Sequence, residues 1–241
     1  MKFYNLSIIF FYLAGNLGAV TAVPAASPSL DLARTVLDDR TVEPGNSMTY
    51  KSYPSTKTHN GGNCYEQIVI DEQWDTDKSK VAAQHEEKKK QVYEAARRGG
   101  LAVIEADKAQ GLSADDYHSV VSATYVPMEG FIVASSFKGA GHDSQPASTC
   151  KIIENGAHAF FANCAEINTL AIMEREKTWS PPREGSMIAA WNTKSQKFVD
   201  PCENKKDAGG EWPGCATTLK EPKWKNIEQL SASEGNSKHN S

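Results

Sequence analysis

The chain has 241 residues, enough for one compact domain with appendages and marginal for two. Its formal net charge of −4 gives no general attraction to phosphate or to anionic membrane surfaces, so any nucleic-acid binding has to rest on local features. Five cysteines (Cys64, Cys150, Cys164, Cys202 and Cys215) are an odd number, which a framework of disulfides alone does not use up.

Met1-Lys2 precedes an apolar run from Ile8 to Ala14, and small residues gather at Val20-Thr21-Ala22. The pattern predicts a secretory signal peptide over residues 1–22, cleaved after Ala22. Breaks at Gly15, Asn16 and Gly18 leave its apolar stretch shorter than the roughly 20 residues a membrane-spanning helix needs, so a soluble, secreted protein with no membrane partner is expected. Residues 23–60 are rich in Pro, Ser, Thr and Asp and read as a poorly ordered or pro-like segment. Gly61-Gly62-Asn63 marks a turn, and the β-branched run Gln67 to Ile70 fits a strand, a helix or buried coil. From Ser79 the composition shifts to Lys, Glu, Gln and Ala, predicting a helix that stops at Gly99-Gly100. A second helix is expected over Leu101 to Ala109. A third starts at the Ser113 cap, with Asp115 and Asp116 in its first turn and Tyr117, Val120 and Val121 on its inner face.

Tyr125-Val126 and Phe131 to Ala134 flank Pro127-Met128-Glu129-Gly130 and predict a hairpin. Residues 139–156 read as a loop. Helical apolar spacing follows from His158 to Glu176, closed by Trp179-Ser180-Pro181-Pro182. Strands are expected over Ser186 to Trp191 and Lys197 to Val199, with a turn at Asn192-Thr193-Lys194 between them, leading directly into Pro201-Cys202. Residues 232–241 are polar and read as a disordered tail.

Two fragments carry candidate chemistry: Asn163-Cys164-Ala165-Glu166 on a predicted helix, and Pro201-Cys202 with Cys215 beyond it. Zinc accepts thiolates readily, and a catalytic zinc site keeps three protein ligands and an open fourth position. If the helix begins nearer Asn163 than His158, Cys164 lies in its first turn, where the helix dipole favours a thiolate. Glu166, two residues on, then reaches a metal-activated water as general acid/base without being a ligand.

Cys164-Ala165-Glu166, followed by Pro201-Cys202 and a further cysteine, resembles the deaminase-like superfamily, whose wider pattern is His-x-Glu and then Pro-Cys-x-x-Cys with three-cysteine variants. Within it the chain is similar to the toxin and effector branch typified by YwqJ-like deaminases, over roughly residues 79–231. The resemblance implies an α/β fold, a deaminase-like three-layer α/β/α domain over residues 61–231 with a central mixed sheet, preceded by a helical N-terminal extension. It implies Zn2+ held by Cys164, Cys202 and Cys215, with Glu166 carrying the proton. The implied substrate is a nucleobase, cytosine or adenine, in single-stranded nucleic acid or a nucleoside. One departure stands: twelve residues, Glu203 to Gly214, separate the last two cysteines where the family has two.

Other readings remain. Cys202 and Cys215 could close a disulfide, with Cys64 and Cys150 forming another, which would make the chain a non-catalytic secreted interaction protein. Cys164 with His158 could form a nucleophilic pair. His158, Phe161 and Trp191 are candidate substrate contacts, although aromatic residues at such spacings more often fill a core. Glu86 to Lys90 reads as a solvated helix face, and Lys220 to Lys225, which interleaves Lys with Trp224, as a candidate phosphate contact.

Overall fold

The structure, a computed structural model, describes residues 43–53, 62–71, 78–138, 163–176, 179–207 and 210–239. The expected signal peptide and the candidates Cys150, His158 and Phe161 lie outside the described residues. The chain is mixed α/β, built on a seven-stranded, mostly antiparallel sheet. The strands are β1 (Thr49–Tyr53), β2 (Gly62–Ile70), β3 (Val120–Val126), β4 (Gly130–Ser135), β5 (Ser186–Asn192), β6 (Lys197–Val199) and β9 (Ile227–Gln229). Their order is β1-β2-β4-β3-β5-β6, with β9 also on β5. Strand β5 pairs antiparallel with β6 at its C-terminal half and parallel with β9 at its N-terminal half, so the sheet is mixed.

Both faces of the sheet are buried, which is why β3 to β5 are apolar almost throughout. Alternation still sorts the side chains. Val121, Ala123, Tyr125, Phe131, Val133, Met187, Ala189 and Trp191 join one core, and Val126, Ile132, Ala134 and Ile188 join the other.

Helix α1 (Lys78–Ala109) covers the first face with Val92, Tyr93, Ala95, Ala96, Val103 and Ile104. The glycine pair does not stop it, and one 32-residue helix replaces the two expected. Gly99 and Gly100 instead let the helix close onto the sheet. A Cβ at Gly99 would lie 2.7 Å from Val133 Cγ1, and one at Gly100 would enter the Trp191 ring. The true stop is Gly111, at φ 77°, whose N–H donates to the Lys108 carbonyl while that of Leu112 reaches back to Asp107, the paired bonds of a glycine C-cap. The expected third helix shrinks to a 3-10 turn, Ala114–Asp116, and Val120 and Val121 enter β3 instead.

Helix α2 (Ala165–Arg175) lies on the second face and is buried continuously from Ala165 to Met173. Two of its polar side chains are held across the interface: Thr124 Oγ1 donates to Thr169 Oγ1 at 2.9 Å, and Asn168 Nδ2 to the Ser135 carbonyl at 3.0 Å. At its end Arg175 grips the buried Glu66 carboxylate at 3.1 Å.

Two polar stretches among the described residues take more regular structure than their composition suggests. Residues 49–53, expected in a poorly ordered segment, form the edge strand β1. The expected tail forms helix α4 (Ala232–His239), docked by polar groups rather than apolar bulk. Asn236 Oδ1 accepts the Phe198 N–H at 2.8 Å and its Nδ2 donates to the Phe198 carbonyl at 3.1 Å, so one side chain stands in for a strand against β6. Lys89 on α1 pairs with Glu234 at 2.8 Å.

Candidate metal centre

Cys164 is the N-cap residue of α2, with extended backbone and no side-chain cap bond. Its thiol is thus released from capping and turns toward Cys202, in the loop that leaves β6, at an Sγ···Sγ distance of 3.7 Å. Cys215 opens the short helix α3 (Cys215–Thr218), and its backbone N–H donates to Cys202 Sγ at 3.1 Å. All three sulfurs lie within 4.8 Å of one another, and each is a free thiol. Two thiolates about 2.3 Å from a tetrahedral zinc stand about 3.8 Å apart, close to the Cys164–Cys202 separation. The donor set therefore fits a thiophilic divalent ion, and Cys202 and Cys215 are not joined as a disulfide.

The twelve-residue separation between Cys202 and Cys215 is absorbed by a hairpin, β7 (Lys205–Asp207) with β8 (Gly210–Trp212), which pairs only with itself among the described residues. Its two ends meet. The Ala216 N–H donates to the Cys202 carbonyl at 3.1 Å, and Gly214 passes so close to the carbonyls of Cys202 and Glu203 that a Cβ would collide with both.

Glu166, the second residue of α2, is 4% exposed, and Cys215 Sγ lies 3.7 Å from its Oε2. Burial pushes its carboxyl up to about 7. The neighbouring Cys202 thiol, together with burial, raises Cys164, and burial above all raises Cys215. Three crowded thiols, one buried and two half-buried, resist ionising together, and a bound cation is the group that reverses this.

A cavity of about 440 Å³ opens beside this cluster, with Cys164, Glu166, Cys202, Ser119, Ser136, Asp200 and Lys205 in its wall. Lys205 forms no ion pair among the described residues, while Lys206 is matched with Glu211 at 3.4 Å.

Two other candidates find different places. Trp191 is 3% exposed in the core under α1, on the face of the sheet away from the cysteines, which removes it from the substrate contacts. Trp224 is also core, at 1% exposure, and Lys223 beside it pairs with Glu174 at 2.6 Å rather than offering a basic stacking surface. Cys64 is a free, buried thiol whose expected partner Cys150 lies outside the described residues. The cavity residues Ser119, Ser136 and Lys205 carry no spacing signal in the sequence. The hydroxyls come together only because β3 and β4 pair, with Ser136 Oγ accepting the Ser119 N–H at 3.1 Å.

Comparison with protein-family models, with curated proteins and with solved structures finds no match to this chain.

Proposed function

We propose that the chain is a secreted, zinc-dependent hydrolytic deaminase acting on a nucleobase, cytosine or adenine, as a toxin or effector. The observation that carries this reading is the convergence of Cys164, Cys202 and Cys215 within 4.8 Å, with the buried Glu166 carboxyl beside them in the wall of one cavity. The order of elements supports it as well: a helix, a hairpin, a helix opened by Cys-Ala-Glu, two strands, and then Pro-Cys, which reaches the next helix through the inserted hairpin.

The three cysteines would hold the ion, which when bound supplies an open coordination position and acidifies water there. Glu166, with an affinity for protons poised near neutrality, takes a proton on the substrate side of the cluster and passes it to the leaving amine. The cavity volume falls in the range of sites that enclose a small ligand. A base within a polymer would have to be single-stranded or flipped out to enter. The Lys205 ammonium in the cavity wall favours a substrate bearing phosphate, a nucleotide or a polynucleotide, over a bare nucleoside.

Metal analysis of the mature protein should give about one zinc per chain. Incubation with single-stranded DNA, RNA, nucleotides and nucleosides should release ammonia and add one mass unit where an amine becomes a carbonyl. Glu166→Gln should retain zinc and lose turnover on every substrate. A variant that keeps full turnover would remove Glu166 from its role, and an active preparation with Cys202 disulfide-bonded to Cys215 would end the metal reading.

A further inference from the structure

The insertion between the second and third cysteines raises a physical question: what keeps Cys215 beside Cys202 when the chain between them is twelve residues long? Closing a loop of that length costs entropy that two thiols alone do not offset without a metal, so the metal-free chain needs its own fastening. One exposed side chain supplies three bonds at that point. Asn204 Oδ1 accepts the Gly214 N–H at 3.0 Å and the Thr217 hydroxyl at 2.6 Å, while its Nδ2 donates to Glu211 Oε1 at 3.0 Å. Gly214 and Thr217 flank Cys215 on either side, and Asn204 itself sits two residues after Cys202.

We propose that Asn204 is a positioning residue of the metal centre, a clasp that closes the base of the β7–β8 hairpin and holds Cys215 in ligating distance of Cys202 before any ion arrives. The inference rests on the reading of the three cysteines as a metal site and goes beyond it by assigning the pre-organisation to a residue outside the ligand set. The acceptor oxygen is the part that fastens Cys215. An aspartate here would keep the bonds to Gly214 and Thr217, lose the donor to Glu211, and set two carboxylates against each other. The hairpin beyond the clasp contributes no ligand, so the geometry of the centre is fixed at its base.

The test compares wild type, Asn204→Ala, Asn204→Asp and Glu211→Ala by zinc competition against a chromophoric chelator, and by the thiolate-to-metal charge-transfer band after cobalt substitution. Metal-free thermal unfolding is measured in parallel. Expected for Asn204→Ala is a zinc affinity lower by about 10- to 100-fold, the size of effect seen when a ligand's supporting partner is removed. The cobalt band should fall by about a third, the share of one thiolate in three. The metal-free unfolding temperature should stay within about 2 °C of wild type, because an exposed hydrogen bond contributes little to global stability. Asn204→Asp should fall between Asn204→Ala and wild type, and Glu211→Ala should match wild type. In a Cys215→Ala background, Asn204→Ala should lower zinc affinity no further. Wild-type affinity in both Asn204 variants, or an equal loss in the Cys215→Ala background, overturns the assignment. Should Asn204→Ala fail to fold, Asn204→Asp and Thr217→Ala decide the matter by the same readouts. Wild-type protein that binds neither zinc nor cobalt fails at the underlying metal reading, an outcome distinct from any result on Asn204.

Discussion

Replacing Glu166 with Gln should change how the metal-free protein responds to pH, by an amount that follows from its surroundings. The carboxyl has a pKa of about 7 in the folded chain against an ordinary value of 4.5, with burial the main cause. A group whose folded pKa is raised binds its proton more tightly folded than unfolded. Its contribution is therefore fully present below pH 4.5 and is lost as pH rises toward 7. Across that window the folded state loses about 3 kcal/mol relative to a neutral side chain of the same shape. Gln removes the titration and keeps the volume. Urea unfolding of chelator-treated protein should show wild type losing about 2–3 kcal/mol more than Glu166→Gln between pH 5 and pH 8. Zinc at 100 times its dissociation constant should then restore about 2.7 kcal/mol to wild type. Parallel pH profiles for the two metal-free proteins would refute the reasoning, because they would mean the carboxyl is not held in the buried position described.

Cys215→Ser, which leaves two sulfurs, should weaken zinc binding by at least about a hundredfold, read by chelator competition. Gly100→Ala should destabilise the protein by up to about 2 kcal/mol in urea. Insertion into the Trp191 ring costs about 1–3 kcal/mol, against about 1 kcal/mol gained in helix propensity, and a raised denaturation midpoint would contradict the close helix–sheet approach. Arg175→Met should cost about 2 kcal/mol, because among the described residues Glu66 is left buried with Lys51, 3.6 Å away, as its remaining ion-pair partner. Lys205→Ala should raise KM about tenfold for a nucleotide substrate at unchanged kcat and leave nucleoside kinetics alone.

Signals that depend on residue order survived translation into three dimensions. Cys164 begins its helix and Glu166 follows two places on, so a local motif sets both side chains on one end of α2. The β3–β4 hairpin follows from apolar runs around a turn, again within a short stretch of chain. Signals that depend on what lies across the sheet did not survive. Gly99-Gly100 looks like helix punctuation until Trp191, far along the chain, proves to occupy the space their missing side chains leave. Val120 and Val121 sit at positions that also suit a helix, and pairing with β4 and β5 decides for the strand. Helix α4 was illegible for a related reason. It holds on through Asn236, Lys89 and a Gly235 pressed against Phe198 and Tyr93, contacts with no apolar periodicity to announce them. The same holds for Asn204, an ordinary polar residue in a polar stretch whose partners lie at the other end of the inserted hairpin.

A hairpin fastened at its own root behaves like a pendant on a closed ring: lengthening, trimming or recolouring it leaves the ring unchanged. The count of residues between the second and third cysteines is then a weak measure of kinship for such chains. Two marks should persist through drift in that count, an amide side chain just after the first of these cysteines and a glycine just before the second. The pendant also offers a natural splice point for a fluorescent reporter, carried a short distance from the sulfurs without passing through them.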